Sequence, residues 1–306
     1  MFIVSLPVAT GDVWWPGLVV LGFLIGIISG FFGIGGGFLM TPALRIIFNI
    51  AYPVAIGSSL LQIVVTSFFS AYKHWRQNNL DPKMGAVTAV GSLVGAECGI
   101  RVLRLVSVSG SVEIAGRAVL FVDVFINSCF LILLSVVAVS MYREACKSSQ
   151  SGVEEPQTQY YKLAKSCPLP PFVSFGHSDI PRLSIWVPIV LSVAVGCFTG
   201  LLGIGGGIVS LPLLIYVLGM PTRVAVGTSS LQVLLASCYG ALRNIQDGNV
   251  DILLVLFMLV GSMSGVSLGV RFSKRVNVRN TRKYFAGLMA IGALVIVFDM
   301  LRKFFA

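Results

Sequence analysis

Eight apolar runs, at residues 16–50, 54–72, 84–102, 118–142, 183–218, 224–242, 252–270 and 284–301, are separated by polar stretches. Charged side chains are rare inside them, and each supplies the roughly 20 residues with which a helix crosses a hydrocarbon core about 30 Å thick. The pattern predicts an all-α polytopic membrane protein. Two of the runs are too long for one crossing: a continuous helix over 16–50 would measure about 52 Å at 1.5 Å per residue. Each long run carries a glycine cluster, "GFFGIGGGFLMTP" from Gly30 and "GLLGIGGGIVSLP" from Gly200, and the helices are expected to break there. A glycine inside a helix costs about 1 kcal/mol, and a plain packing seam would need fewer than Gly30, Gly33, Gly35, Gly36 and Gly37 together.

The clusters belong to a larger duplication. At an offset of 170 residues, which carries Gly30 onto Gly200, Pro42 falls on Pro212, and Asn79 and Asp81 fall on Asn249 and Asp251. "VAIGSSLLQ" from Val54 matches "VAVGTSSLQ" from Val224, and "VGSLVGAECGIR" from Val90 matches "VGSMSGVSLGVR" from Val260. An ungapped register in which glycines, prolines and polar residues coincide as well as leucines marks two homologous bundles. We read them as repeats of four to five helices, at 13–142 and 183–306. The linker between them, 143–182, is rich in Ser, Pro and charge and has no regular period.

Irregular backbone is tolerated at membrane depth only where protein buries it or where it lines a cavity. Paired glycine-interrupted helices therefore point to a site between the halves, with Gly33, Gly35, Gly36, Gly37, Gly203, Gly205, Gly206 and Gly207 lining a chamber. A helix restarting after either cluster would aim free N–H groups and its positive dipole end at that chamber, which favours an anion. The second repeated motif adds Ser58, Ser59 and Gln62 in one half and Thr228, Ser229 and Gln232 in the other. The hydroxyls either cap their helices or contact a ligand. The two amides either contact a ligand or bond to a neighbouring helix. Gly91, Gly95 and Gly99, with Gly261, Gly265 and Gly269, have the four-residue spacing of close helix packing. Glu97, whose repeat counterpart is Ser267, either carries a coupling proton or pairs with Arg101 four residues on. Asp123 lies early in its run and is read as interfacial.

Composition narrows the function further. Charged residues make up 11% of the chain, against about 25% in soluble domains. The net charge of +10 comes from basic residues in the turns between apolar runs, so it reports membrane topology and not nucleic-acid binding. Four crossings per repeat would put eleven Lys and Arg on each side of the membrane; an odd number inverts the repeats and gives fifteen against seven. The second count predicts inverted repeats, a cytoplasmic linker and both termini outside. No basic n-region precedes the first apolar run, which is read as retained. The six cysteines form no CxxC pair; Cys146, Cys167 and His177 share the linker region without a metal-site spacing. Phe38 and Ile208 spoil GxGxxG, "GSMSG" from Gly261 is no nucleophile elbow, and GxxxxGK[ST] is missing. No enzyme activity, cofactor or metal is expected; the partners are a small anion and the lipid bilayer.

"GFFGIGGGFLMTPAL" followed by "VAIGSSLLQ", and "GLLGIGGGIVSLPLL" followed by "VAVGTSSLQ", resemble the sulfite exporter TauE/SafE family of membrane transporters. The resemblance covers both halves and leaves out the linker and the extreme N-terminus. It implies a polytopic inner-membrane protein that moves sulfite, a sulfonate or a related sulfur-containing or organic anion. Glu97 stands where members often have an uncharged residue. A secondary transporter, with or without proton coupling, is the expectation; an anion channel on the same scaffold is the alternative.

Overall fold

The computed structural model describes residues 3–8, 12–32, 37–108, 110–114, 117–151, 169–175, 178, 180–273 and 278–305. Five helices belong to the first half, the last of them running nine residues into the linker: α1 (Trp15–Phe32), α2 (Gly37–Phe48), α3 (Tyr52–Arg76), α4 (Pro82–Val108) and α5 (Phe121–Ser151). Five follow it: α6 (Trp186–Leu202), α7 (Gly207–Pro212, continued by a π-helical turn, Leu213–Val217), α8 (Thr222–Gln246), α9 (Ile252–Ser273) and α10 (Val278–Phe305). The 170-residue offset carries α3 onto α8 residue for residue. Of these, α1, α3, α4, α5, α8 and α9 are long and apolar enough to cross a membrane. Their exposed faces carry residues such as Val20, Leu24, Val94, Ile132 and Leu256, the outward apolar band that lipid requires.

Two glycine seams join the halves. A Cβ on Gly22, Gly26 or Gly30 of α1 would lie 2.2, 2.5 or 2.3 Å from the carbonyl oxygen of Met258, Ser262 or Val266 of α9. Gly91, Gly95 and Gly99 of α4 press equally close on the carbonyls of Ile189, Val193 and Cys197 of α6. Both pairs therefore run parallel at backbone contact, and both stripes expected to pack do so. The central pair behaves differently. Ser70 of α3 meets Ser230 of α8 at 3.1 Å, while Leu60 packs on Gly240. Thus α3 and α8, which match in sequence, pack antiparallel, and α5 packs on α10 beside them.

Asp81 and Asp251 start α4 and α9. Asp81 Oδ1 accepts the N–H groups of Lys83 and Met84, and Asp251 Oδ1 accepts those of Leu253 and Leu254. These are N-caps, and a carboxylate there also opposes the positive helix end. Each cap is closed by the other half: Asp251 Oδ2 accepts from Val8 N–H at 3.0 Å, and Asp81 Oδ2 accepts from Ser178 Oγ at 2.5 Å. Val8 sits between strands β1 (Ile3–Ser5) and β2 (Asp12–Trp14). One antiparallel hairpin, β3 (Ser111–Ile114) with β4 (Arg117–Leu120), separates α4 from α5. Ser178 sits between β5 (Phe172–Phe175) and β6 (Ile180–Ser184). The hairpins around Val8 and Ser178 match at the 170-residue offset, so the correspondence reaches into the end of the linker. Asp81→Ala or Asp251→Ala is expected to lower stability by about 2 kcal/mol, and Asn at either position by less. Thermal unfolding in detergent followed by circular dichroism checks both.

Candidate functional site

The second glycine cluster interrupts its run between α6 and α7. Gly203, Gly205 and Gly206 have φ of 67°, 68° and 77°, a left-handed region that side-chain-bearing residues occupy at a cost of roughly 1–2 kcal/mol each. Gly206 is also confined, since a Cβ there would stand 2.5 Å from Thr199 Oγ1. In the first cluster Gly33, Gly35 and Gly36 lie outside the described residues; α1 ends at Phe32 and α2 starts at Gly37. The two interruptions meet. A Cβ on Gly37 would lie 2.9 Å from Gly203 O and 2.2 Å from Ile63 Cδ1, and Gly205 is held between Ile63 and Val233. Ile63 and Val233 match in the repeat and lie near the midpoints of α3 and α8. The meeting point is therefore the middle of the crossing pair.

Polar side chains converge there. Thr41 Oγ1 and Ser59 Oγ are 2.9 Å apart and reach Gly203 O at 3.4 and 3.3 Å, so hydroxyls of the first half face a carbonyl exposed by the break in the second. Ser210 Oγ donates to Gln232 Oε1. Gln62 and Gln232 are 0% and 1% exposed. Both polar atoms of Gln62, and the Nε2 of Gln232, have no hydrogen-bond partner among the described residues. The buried hydroxyls of Ser67 and Ser237, a matching pair, are likewise unpartnered. The antiparallel register of α3 and α8 puts Gln62 level with Ser237 and Gln232 level with Ser67. Leaving a buried polar group unpaired costs about 1–3 kcal/mol, so several in one place are an expensive arrangement. The void that reaches Gln232 measures about 10 Å³ and has Thr88, Ser192, Ser210 and Leu214 in its wall. It has room for about one water.

Other predicted residues have structural partners. Ser58 Oγ accepts Asp251 N–H and Thr228 Oγ1 accepts Asp81 N–H, both at 3.0 Å, which fastens α9 to α3 and α4 to α8. Ser229 Oγ donates to Val226 O one turn back. Asp123 forms an ion pair with Arg45, next to a hydrogen bond from Tyr52 OH to Asn127 Oδ1. Among the described residues no His, Cys, Asp or Glu cluster could hold a metal ion. Cys167, His177 and the side chain of Cys146 lie outside the described residues. Sequence reading missed Thr41, Ser210, Ser67 and Ser237; a hydroxyl one or two residues before each repeated proline was the available signal for the first two.

Glu97 lies away from this meeting point, where α4 packs on the second half of α8. Its Oε1 accepts from Arg101 Nε at 2.8 Å, and its Oε2 accepts from Tyr239 OH at 2.9 Å and Arg243 Nε at 3.2 Å. The pairing with Arg101 is therefore present, with a second arginine added from α8. At the matching place between α3 and α9 stand Ser267, Lys73 and Phe69, and Lys73 Nζ donates to Ser267 Oγ at 3.4 Å.

Residues 18–296 match the family described as Sulfite exporter TauE/SafE. The chain belongs to the sulfite exporter TauE/SafE family. Within it, the chain is 27% identical to the probable membrane transporter protein YunE of Bacillus subtilis, over 86% of this chain and 89% of the relative. It is 25% identical to the probable membrane transporter protein YjnA of the same organism, over 92% and 98%. A probable membrane transporter protein of Methanocaldococcus jannaschii is 26% identical, over 91% and 94%. No solved structure matches the chain. As a TauE/SafE member with six long apolar helices, it is a multi-pass membrane transporter.

Proposed function

We propose that this transporter is a secondary carrier that moves a small anion through the meeting point of its two glycine breaks. The observation that carries the reading is the pair of matching glutamines, Gln62 and Gln232, buried at mid-depth with three of their four amide atoms unpartnered among the described residues. An interior built only for packing would hold apolar residues there; unpaired donors are retained where a ligand completes them. The family description supports sulfite, a sulfonate or a related anion as cargo. The antiparallel packing of α3 on α8 supports halves inverted in the bilayer, with five elements each. The Lys and Arg distribution supports an inner-membrane orientation with the linker cytoplasmic. The small void beside Gln232 then corresponds to a closed carrier that rocks open around a fixed centre.

The two faces are fastened unequally. On the face of the N-terminal hairpin, Glu97 joins α4 to α8 through Tyr239 and Arg243, whereas on the linker face a hydroxyl and an ammonium do the same work. The linker face therefore opens first. Glu97→Gln is expected to raise labelling of a Ser237→Cys reporter by an impermeant maleimide from the hairpin face several-fold. Unchanged labelling would make the cluster a passive surface pair.

The carrier reading is tested in proteoliposomes with sulfite, thiosulfate and alkyl sulfonates, with and without a pH gradient. Saturable flux is expected. Flux that rises linearly with concentration would favour the channel.

A further inference from the structure

The geometry points to a carrier that accepts its substrate only as a monoanion with a compact oxygen-rich head; this rests on the carrier reading above. The reason is that no described residue brings a compensating charge to the meeting point. The described residues at the meeting point, Gly37, Thr41, Ser59 and Gly203, are uncharged, as are Gln62 and Gln232, which adjoin Ile63 and Val233 on α3 and α8. Of the basic side chains on the helices around it, Arg45 pairs with Asp123, Arg101 and Arg243 with Glu97 and Arg104 with Asp247, Lys73 donates to Ser267 and Arg76 lies over Tyr72, all towards the helix ends, while Lys83 and Arg223 stand in the first turns of α4 and α8. Moving an ion out of water costs free energy that rises with the square of its charge, so a dianion is penalised about fourfold more than a monoanion of the same size. Neutral amide and hydroxyl donors offset the smaller penalty and not the larger one.

The unpaired atoms sharpen the fit. Gln62 offers a donor, Nε2, and an acceptor, Oε1, and neither has a partner among the described residues. A fully ionised oxyanion, a sulfonate included, presents acceptors only, so it fills Nε2 but not Oε1 and is held less tightly than a protonated monoanion. A singly protonated one, such as hydrogen sulfite, brings an O–H donor for Oε1 and acceptor oxygens for Nε2 and the serine hydroxyls. Sulfite dianion would take up one proton from water before entering, so one negative charge crosses per turnover. The pH dependence of sulfite transport then belongs to the substrate and not to a carboxyl group of the protein.

The test uses full-length wild-type protein and Glu97→Gln in proteoliposomes, comparing sulfite with methanesulfonate, which remains a monoanion, and with sulfate, a dianion at neutral pH. Above the second ionisation of sulfite its flux at fixed total concentration should fall about tenfold per pH unit. Methanesulfonate flux should stay level, and the two proteins should share the shape of the sulfite pH profile whatever their absolute rates. Sulfate should be neither carried nor able to compete. Sulfite flux that follows total sulfite at all pH values, or sulfate competing as well as methanesulfonate, overturns the monoanion rule and leaves the carrier standing. No flux of any anion overturns both.

Discussion

Gln62→Leu lowers anion flux by about ten- to hundredfold at low substrate concentration and yet yields a folded protein that withstands more heat than the wild type. Both halves of this expectation follow from one observation: Gln62 is fully buried and neither of its polar atoms has a partner among the described residues. Leucine is close in volume and has no group to satisfy, so the substitution recovers part of the roughly 1–3 kcal/mol that an unpaired buried amide costs. A hydrogen bond to a charged ligand is worth about 1.5–3 kcal/mol, so its loss should reduce flux by about ten- to hundredfold at low substrate concentration. Gln232→Leu should lose flux equally but gain less stability, because Ser210 Oγ donates to Gln232 Oε1 and would be orphaned. Flux assays paired with thermal unfolding of the same preparations decide the matter. Lower stability with normal flux would make the amides structural.

The repeat that frames these glutamines was legible because its markers are chemically distinctive. Glycine clusters, prolines and "GSSLLQ" against "GTSSLQ" fix an offset that α3 and α8 follow residue for residue. The hairpins were not legible. Val8 and Ser178 occupy matching places but share no side-chain chemistry; one contributes a backbone N–H and the other a hydroxyl to an aspartate of the opposite half. The same holds for Ser58 and Thr228, whose motif suggested a ligand, because their partners Asp251 and Asp81 arrive from the other repeat. Helical spacing exposed Arg101 as a partner for Glu97, whereas Arg243 lies on a helix of the other half. The size of the interior was likewise invisible, since the packing of Ile63 and Val233 over the breaks depends on how four segments close.

Gly95→Ala and Gly265→Ala should prevent the protein from assembling at all. A methyl group on Gly95 would stand 2.0 Å from Val193 O and 2.8 Å from Cys197 N; on Gly265 it would stand 2.3 Å from Phe23 O and 2.9 Å from Ile27 N. These obstacles are backbone atoms of an opposing helix, which cannot rotate away as a side-chain end can. The helices must separate along the whole contact, losing the close approach that replaces the hydrophobic effect as the source of cohesion between membrane helices. Overpacking of this kind costs about 3 kcal/mol or more, a large fraction of the roughly 5–15 kcal/mol by which a folded protein is stable. The measurement is the yield of monodisperse protein after detergent extraction, with Gly287→Ala as the control. A Cβ on Gly287 meets nothing within 4 Å, and in a helix interior alanine should be preferred to glycine by roughly 0.5–1 kcal/mol. Because each seam joins a helix of one half to a helix of the other, the two variants should fail alike. Normal yield from either would mean that the halves are held together by the α3 and α8 crossing alone.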